Sequence, residues 1–244
     1  MIGRLSLPTS KRNFNRYRIA PLPSRIAALA SGGLDSSVMV AELARSYRQV
    51  FPVYIRSGLA WERAELRTLR KFLLEVTNSR IQPLTVLSVP MDDLAGGHWS
   101  VTGRGVPGYR APISSNYLLG RNLSLLTKAA LFCAFNRVGE LAIAPLESNP
   151  FPDTRPEFFA ALSRAVQLGV GLKLDIRSPY AGLTKADVVR RSRGLPLCLT
   201  LSCAQPVGLR HCGKCTKCAE RIAGFRAAGI ADPTVYVRRA GVRM

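Results

Sequence analysis

Acidic residues and histidines are scarce in this chain. Fifteen Asp and Glu stand against 35 Lys and Arg over 244 residues, a net charge of +20, and the two histidines are His98 and His211. Histidines so few and so far apart do not read as a catalytic pair. An excess of positive charge suits anionic partners, from a nucleotide to a polyanion. Long hydrophobic runs are missing too: none approaches the ~18 residues of a membrane helix, so no membrane span is expected. No fixed-period repeat and no low-complexity tract occurs. Residues 1–24 lack the apolar centre of a secretory signal, so the six cysteines are not expected to pair as disulfides, and a cytoplasmic location is expected.

What is present is enough for one sizeable core, at 47% apolar composition. Residues 1–24 hold five basic side chains, no acidic ones and three prolines. They read as a basic arm, either flexible or touching RNA or serving as a weak targeting segment. Beyond it, apolar runs at 50–55, 84–89, 141–145 and 172–176 alternate with helical patterns at 60–76 and 117–138. Pro156 can open a further helix at its first position, and Thr184 with Asp187 has the spacing of a capping box. The stretch 96–108 is glycine-rich and is expected to be a mobile loop. Strands alternating with helices predict a parallel α/β sheet covered on both faces, with ligands at the carboxyl ends of its strands.

One such end carries the most informative run, Ser31, Gly32, Gly33, Leu34, Asp35, Ser36 and Ser37, between an apolar strand and a helical pattern at 38–47. Two glycines can turn successive N–H groups inward, the helix start adds partial positive charge, and Ser36 and Ser37 offer hydroxyls. The run predicts a phosphate cradle, and without a Gly-Lys-Ser/Thr ending it is not the common P-loop. Asp35 is expected to help hold Mg²⁺ through water beside bound phosphates.

Near the other end stand Cys203, Cys212, Cys215 and Cys218, the last three at two-residue intervals. Four thiolates at such spacing suit a closed tetrahedral Zn²⁺ site with a structural role, with an iron–sulfur cluster as the competing occupant. Gly213 relieves crowding in the wrap, while Lys214, Lys217 and His211 are expected to bring positive charge to the thiolates. Cys133 and Cys198, beside leucines, are expected as core thiols.

The run from Ser31 to Ser37 resembles the signature of the PP-loop ATP pyrophosphatases, which cleave ATP between its α- and β-phosphates. Taken with Gly120, Arg121 and Asn122, with Pro152, Asp153, Arg155 and Glu157, with Leu183 to Val189, and with the cysteines, it resembles the 7-cyano-7-deazaguanine synthase family from about residue 26 to 236. The resemblance implies a PP-loop domain over 25–200 with a zinc-binding segment over 201–244 packed on it. It also implies an AMP-forming carbon–nitrogen ligase that uses ATP, ammonia and a small carboxylate, in a homodimer. Asp35, Arg121 and Lys185 would serve catalysis, with Asn122, Asp153, Arg155 and Glu157 at the substrate. Arg121 could neutralise phosphate or a developing acyl-adenylate, or be a solvated residue at a helix start. Asp153, Arg155 and Glu157 bind a polar heterocycle if buried and form a charged loop if exposed. Lys185 reads equally as a phosphate contact or a helix-surface charge.

Two segments depart from the family pattern. Its usual Gly-Gln-Arg-His after the second strand is replaced by Ser57, Gly58, Leu59, Ala60, Trp61 and Glu62. Its Asp-Tyr-Ser-Gly-Tyr is replaced by Leu146, Glu147, Ser148, Asn149, Pro150 and Phe151. Both are expected near the base or nucleotide. Two other functions fit the same motifs: a PP-loop enzyme that thiolates tRNA, suited by the charge but lacking an RNA-binding signature, and a nucleotide-binding scaffold without catalysis.

Overall fold

The apolar run before the glycines becomes β1 (Arg25–Leu29), and the pattern after them becomes α1 (Leu34–Ser46). In this computed structural model residues 25–76 and 78–238 are described; the basic arm expected over 1–24 lies outside them. The chain continues through β2 (Gln49–Arg56), α2 (Glu62–Glu75), β3 (Thr85–Ser88), α3 (Asp92–Ala95) and α4 (Trp99–Thr102). Then follow α5 (Arg121–Asn136), β4 (Glu140–Ala142), α6 (Pro156–Val170), β5 (Asp175–Arg177), α7 (Lys185–Arg191) and α8 (Thr216–Ala228).

The five strands are all parallel and lie in the order β3-β2-β1-β4-β5. Connections run outward from β1 first to one side and then, through β4, to the other. The crevice between the carboxyl ends of β1 and β4 is therefore the switch point where ligands bind in such sheets.

Side chains alternate across β1. Ile26, Ala28 and Ala30 join one buried cluster with Val38 and Met39 of α1, Leu69 and Phe72 of α2, Val188 and Val189 of α7 and Phe225 of α8. Ala27 and Leu29 join the opposite cluster with Leu126, Ala129 and Cys133 of α5 and Phe159 and Leu162 of α6. The period of two places successive residues on opposite faces, and both faces are covered by helices. The expected α/β class is what forms.

Several local signals act as expected. Pro156 is at the first position of α6, and Thr184 and Asp187 make a reciprocal capping box on α7. The last strand is shorter than its alternating pattern: β5 pairs at Asp175–Arg177 because only those residues meet β4, itself three residues long. The glycine-rich stretch contains α4, capped by His98, and Gly108 bridges to Cys215. Cys133 is buried, whereas Cys198 is exposed on a short 3₁₀ turn, Leu197–Leu199, whose flanking leucines point inward in its place.

Candidate active site and four-cysteine centre

At the switch point Gly32 adopts φ of +80°, which a side chain rarely tolerates, and a Cβ there would lie 2.8 Å from the Glu65 carbonyl oxygen. The turn thus fits tightly over α2. Gly33 N–H donates to Ser31 Oγ at 3.2 Å, Leu34 N–H to Ser202 Oγ at 3.1 Å, and the Ser31 and Ser36 hydroxyls meet at 3.0 Å. Two backbone donors at the start of a 13-residue helix are held only by hydroxyls, which an anion can replace.

Two adjoining cavities of similar size, about 210 and 190 Å³, open at this turn. The one against the sheet, inner in that sense, is lined by Tyr54 and Ile55 of β2, Glu62 of α2 and Ile143 and Ala144 after β4. The outer one is lined by Trp61, Trp99, Tyr117, Phe151, Lys185, Ser202, Lys217 and Glu220. Ser31, Gly33, Asp35, Glu65, Arg121 and Asn122 line both and mark their junction.

Lys185 is a half-buried ion-pair centre rather than a free surface charge. Its Nζ lies 2.5 Å from Asp35 and 3.0 Å from Glu220. Burial alone would lower its pKa, but the two carboxylates outweigh burial and raise it. Burial would likewise raise Glu220, yet Lys185 and Lys217 hold it down to about 2. Among the described residues, the other Asp35 oxygen, Oδ1, and Arg121 Nε are buried without a hydrogen-bond partner. Orphaned polar atoms on a cavity wall ask for a ligand, and a carboxylate oxygen beside the glycine turn has the donor chemistry that a magnesium-bound water would meet.

Arg121 opens α5 after Gly120, whose φ is +70°. Asp153 is buried and accepts from the Asn122 backbone N–H and from Nδ2, both at 3.1 Å, which fixes the helix start. The remaining predicted residues divide. Ser36 lines the inner cavity, while Gly32, Leu34 and Ser37 line neither. Ser37 is fully buried beneath the turn, so the expected hydroxyl from it is not offered. Arg155 and Glu157 are exposed at the start of α6 and line neither cavity. Pro156 sets the helix there with Phe159 turned into the core, which leaves Arg155 and Glu157 on the solvent side.

Both departing segments supply wall residues. Leu59, Trp61 and Glu62 come from one, and Asn149 and Phe151 from the other. Trp61 stacks on Trp99 at 5.6 Å, and Tyr117 on Phe151 at 4.9 Å. These aromatic pairs come from distant segments and leave no sequence signal as pairs. Glu65 carries a faint one: it shares a helix face with the buried Leu69 and Phe72.

Cys203, Cys212, Cys215 and Cys218 are buried with all four sulfurs within 4.8 Å of one another. Cys212 and Cys218 sulfurs lie 3.9 Å apart. A tetrahedron with metal–sulfur bonds of about 2.3 Å has an edge of about 3.8 Å, so the set fits a zinc-sized ion. Gly213, at φ of +76°, has no room for a Cβ against the Arg238 carbonyl. His211 does not contribute charge. It is buried, its Nε2 accepts from Ser202 N–H at 3.0 Å, and burial pushes its pKa down to about 3. The cluster adjoins the outer cavity, since Cys203 lines it and Thr216 holds Asn116 by a 2.7 Å hydrogen bond. Buried Arg221 ties the segment to the domain through Thr200 and Leu197, and to its own tail through Thr234.

The model of the family "Queuosine biosynthesis protein QueC" matches residues 25–229. The chain belongs to this family. A 7-cyano-7-deazaguanine synthase of Anaeromyxobacter sp. (strain Fw109-5) is 33% identical over 234 residues, covering 88% of this chain and 97% of its own. The synthase of Dechloromonas aromatica (strain RCB) is 33% identical over 226 residues, covering 87% and 98%. That of Thermoplasma volcanium is 30% identical over 225 residues, covering 88% and 92%. A predicted subunit of tRNA methyltransferase from Methanocaldococcus jannaschii, known as a crystal structure, aligns over 68% of this chain and 73% of its own. At a TM-score of 0.46 and 14% identity, that likeness is too remote to bear on function. For this member of the QueC family, the turn, the junction and the cysteine cluster are the parts a functional account must use. Among the described residues no helix is long and apolar enough to cross a membrane.

Proposed function

We propose that this QueC family member is an ATP-dependent, AMP-forming ligase that turns 7-carboxy-7-deazaguanine into 7-cyano-7-deazaguanine with ammonia. The observation that carries the reading is the pair of cavities meeting at Ser31, Gly33, Asp35, Glu65, Arg121 and Asn122. ATP occupies the inner cavity, with its phosphates on the glycine turn. The deazaguanine lies in the outer cavity among the two aromatic pairs, which suit a flat heterocycle. Its carboxylate then meets the α-phosphate at the junction.

The carboxylate attacks that phosphorus and pyrophosphate leaves. Ammonia displaces AMP to give the amide, and a second ATP activates the amide oxygen so that loss of AMP leaves the nitrile. Arg121 and Lys185 neutralise charge as the phosphorus–oxygen bonds exchange, and the protein needs no covalent nucleophile. Mg²⁺, held through water near Asp35, would shield the phosphates. Zn²⁺ on the four cysteines would hold the outer wall in place and has no open position for chemistry. Thiolation of tRNA is less well supported: Cys133 and Cys198 line neither cavity, so among the described residues the cluster leaves no sulfur carrier there. Cytoplasmic location and a homodimer belong to the same proposal.

The test is release of AMP and pyrophosphate from ATP with ammonia, with and without 7-carboxy-7-deazaguanine, with product masses recorded. Substrate-dependent AMP and a nitrile product support the reading. ATP cleavage indifferent to the substrate overturns the substrate assignment.

A further inference from the structure

Five of the chain's acidic residues line the two cavities: Asp35, Glu62, Glu65, Asp153 and Glu220. In a chain so poor in acid, and at a site that takes an anionic nucleotide, each carboxylate needs a reason. Four have one in the structure itself. Asp35 and Glu220 hold Lys185, and Asp153 holds Asn122. Glu62 accepts from the Ser57 backbone N–H and faces Arg56 at 3.9 Å.

Glu65 is the fifth. It is only 8% exposed, it lines both cavities, and among the described residues no cation lies within ion-pair distance of it. Tyr54 donates to it at 3.1 Å from β2. Glu62 faces it from its own helix, Trp61 from the residue before that helix, and Arg121 from α5. Burial raises its pKa to about 7, with Glu62 adding to the rise and Arg121, Tyr54 and Trp61 opposing it. A buried carboxylate poised near neutral pH, at the one place both cavities share, can exchange a proton with what sits there.

We propose that Glu65 is the base that takes the proton from ammonium at the junction. This rests on the ligase reading above. Ammonium is the one cation that reaction consumes, and it is inert until it loses a proton. It gives that proton to the Glu65 carboxylate, and the freed nitrogen lone pair forms the bond to the acyl carbon. The adduct nitrogen then loses a second proton, and the carbon–oxygen bond to AMP breaks with its electron pair leaving on the phosphate. The first proton passes through Glu65 to water in the cavity, and the second goes directly to that water. Tyr54 acts as a positioning residue, its hydroxyl fixing one carboxylate oxygen while the other faces the ligand.

The experiment compares the wild-type protein with Glu65→Gln in two reactions at pH 7. The first is ATP–pyrophosphate exchange with 7-carboxy-7-deazaguanine and no amine, which reads adenylation and correct folding. The second is AMP release with ammonium chloride or with hydroxylamine, a nucleophile already neutral at that pH. The expected result is a loss of about 100-fold or more with ammonium, less than about tenfold in exchange, and recovery with hydroxylamine. An equal loss with both amines, or an equal loss in exchange, overturns the base and makes Glu65 a structural group. Unchanged ammonium turnover overturns it as well. A wild-type protein without substrate-dependent exchange overturns the ligase reading itself, and the base with it.

Discussion

Lys185 and Asp35, 150 residues apart in sequence, form a 2.5 Å ion pair on the wall of the outer cavity, with Glu220 on the other side of the ammonium group. The capping box of α7 aims the lysine, and Gly224 of α8 leaves room for its stem: a Cβ there would collide with Lys185 Cγ. The pair therefore links the phosphate turn, α7 and α8. Replacing Lys185 by Met leaves two carboxylates facing each other with no cation between them. The expected cost is about 3 kcal/mol in urea unfolding, together with loss of ATP–pyrophosphate exchange. Gly224→Ala should lower exchange in the same direction by displacing the lysine stem.

Gly32 is constrained from two sides, by its φ of +80° and by the Glu65 carbonyl 2.8 Å from any added Cβ. Gly32→Ala is expected to destabilise the fold by about 2 kcal/mol and to abolish measurable ATP binding, read by calorimetry on the folded fraction.

Burial of Glu65 sets a pH dependence of stability. Its folded pKa of about 7 lies above its ordinary value of 4.5, so the folded state holds the proton more tightly than the unfolded one. Its contribution to stability is fully present below pH 4.5 and is lost as pH rises through 7. Glu65→Gln stays neutral throughout. Urea titrations should therefore show the variant gaining on the wild type as pH rises across that window, by on the order of 3 kcal/mol in total.

Because Cys203 lines the outer cavity and Thr216 holds Asn116, metal loss should be felt as a failure of the cavity as well as of the fold. Chelation, or Cys218→Ser, is expected to lower the midpoint of thermal unfolding by about 10 °C or more and to remove substrate-dependent exchange. Elemental analysis of the purified protein distinguishes zinc from iron.

Trp61 and Trp99 stack as a pair on the cavity wall. Trp61→Ala should raise KM for the carboxylate about tenfold, with a smaller change in kcat, since stacking acts on bound substrate and transition state alike. Steady-state kinetics with varied carboxylate checks this.

Much of the fold could be read along the chain because its signals are local. Apolar runs of strand length, the Gly32–Gly33 turn, Pro156 and the Thr184–Asp187 box each act within a few residues of themselves. The four cysteines were legible for the same reason: three lie within seven residues, and their chemistry needs only proximity. Where local pattern and tertiary packing disagreed, packing decided. Cys198 sits among leucines yet is exposed, because a 3₁₀ turn leaves it on the outer side. His211 sits among lysines and cysteines yet is neutral, because it is buried against Ser202.

By itself, then, the sequence determined the alternation of strands and helices, the glycine turn and the metal-sized thiol cluster, since backbone conformation and close ligand spacing follow from neighbouring residues. The tertiary structure alone decided which charges meet. Lys185 could have been a surface residue, and Arg155 and Glu157 could have lined the pocket. The ion pair at Asp35, the exposure of Arg155 and Glu157, the aromatic stacks and the burial of Glu65 depend on segments far apart in the chain. Electrostatic strength depends on distance and on exclusion of water, and neither quantity exists until the helices have packed around the sheet.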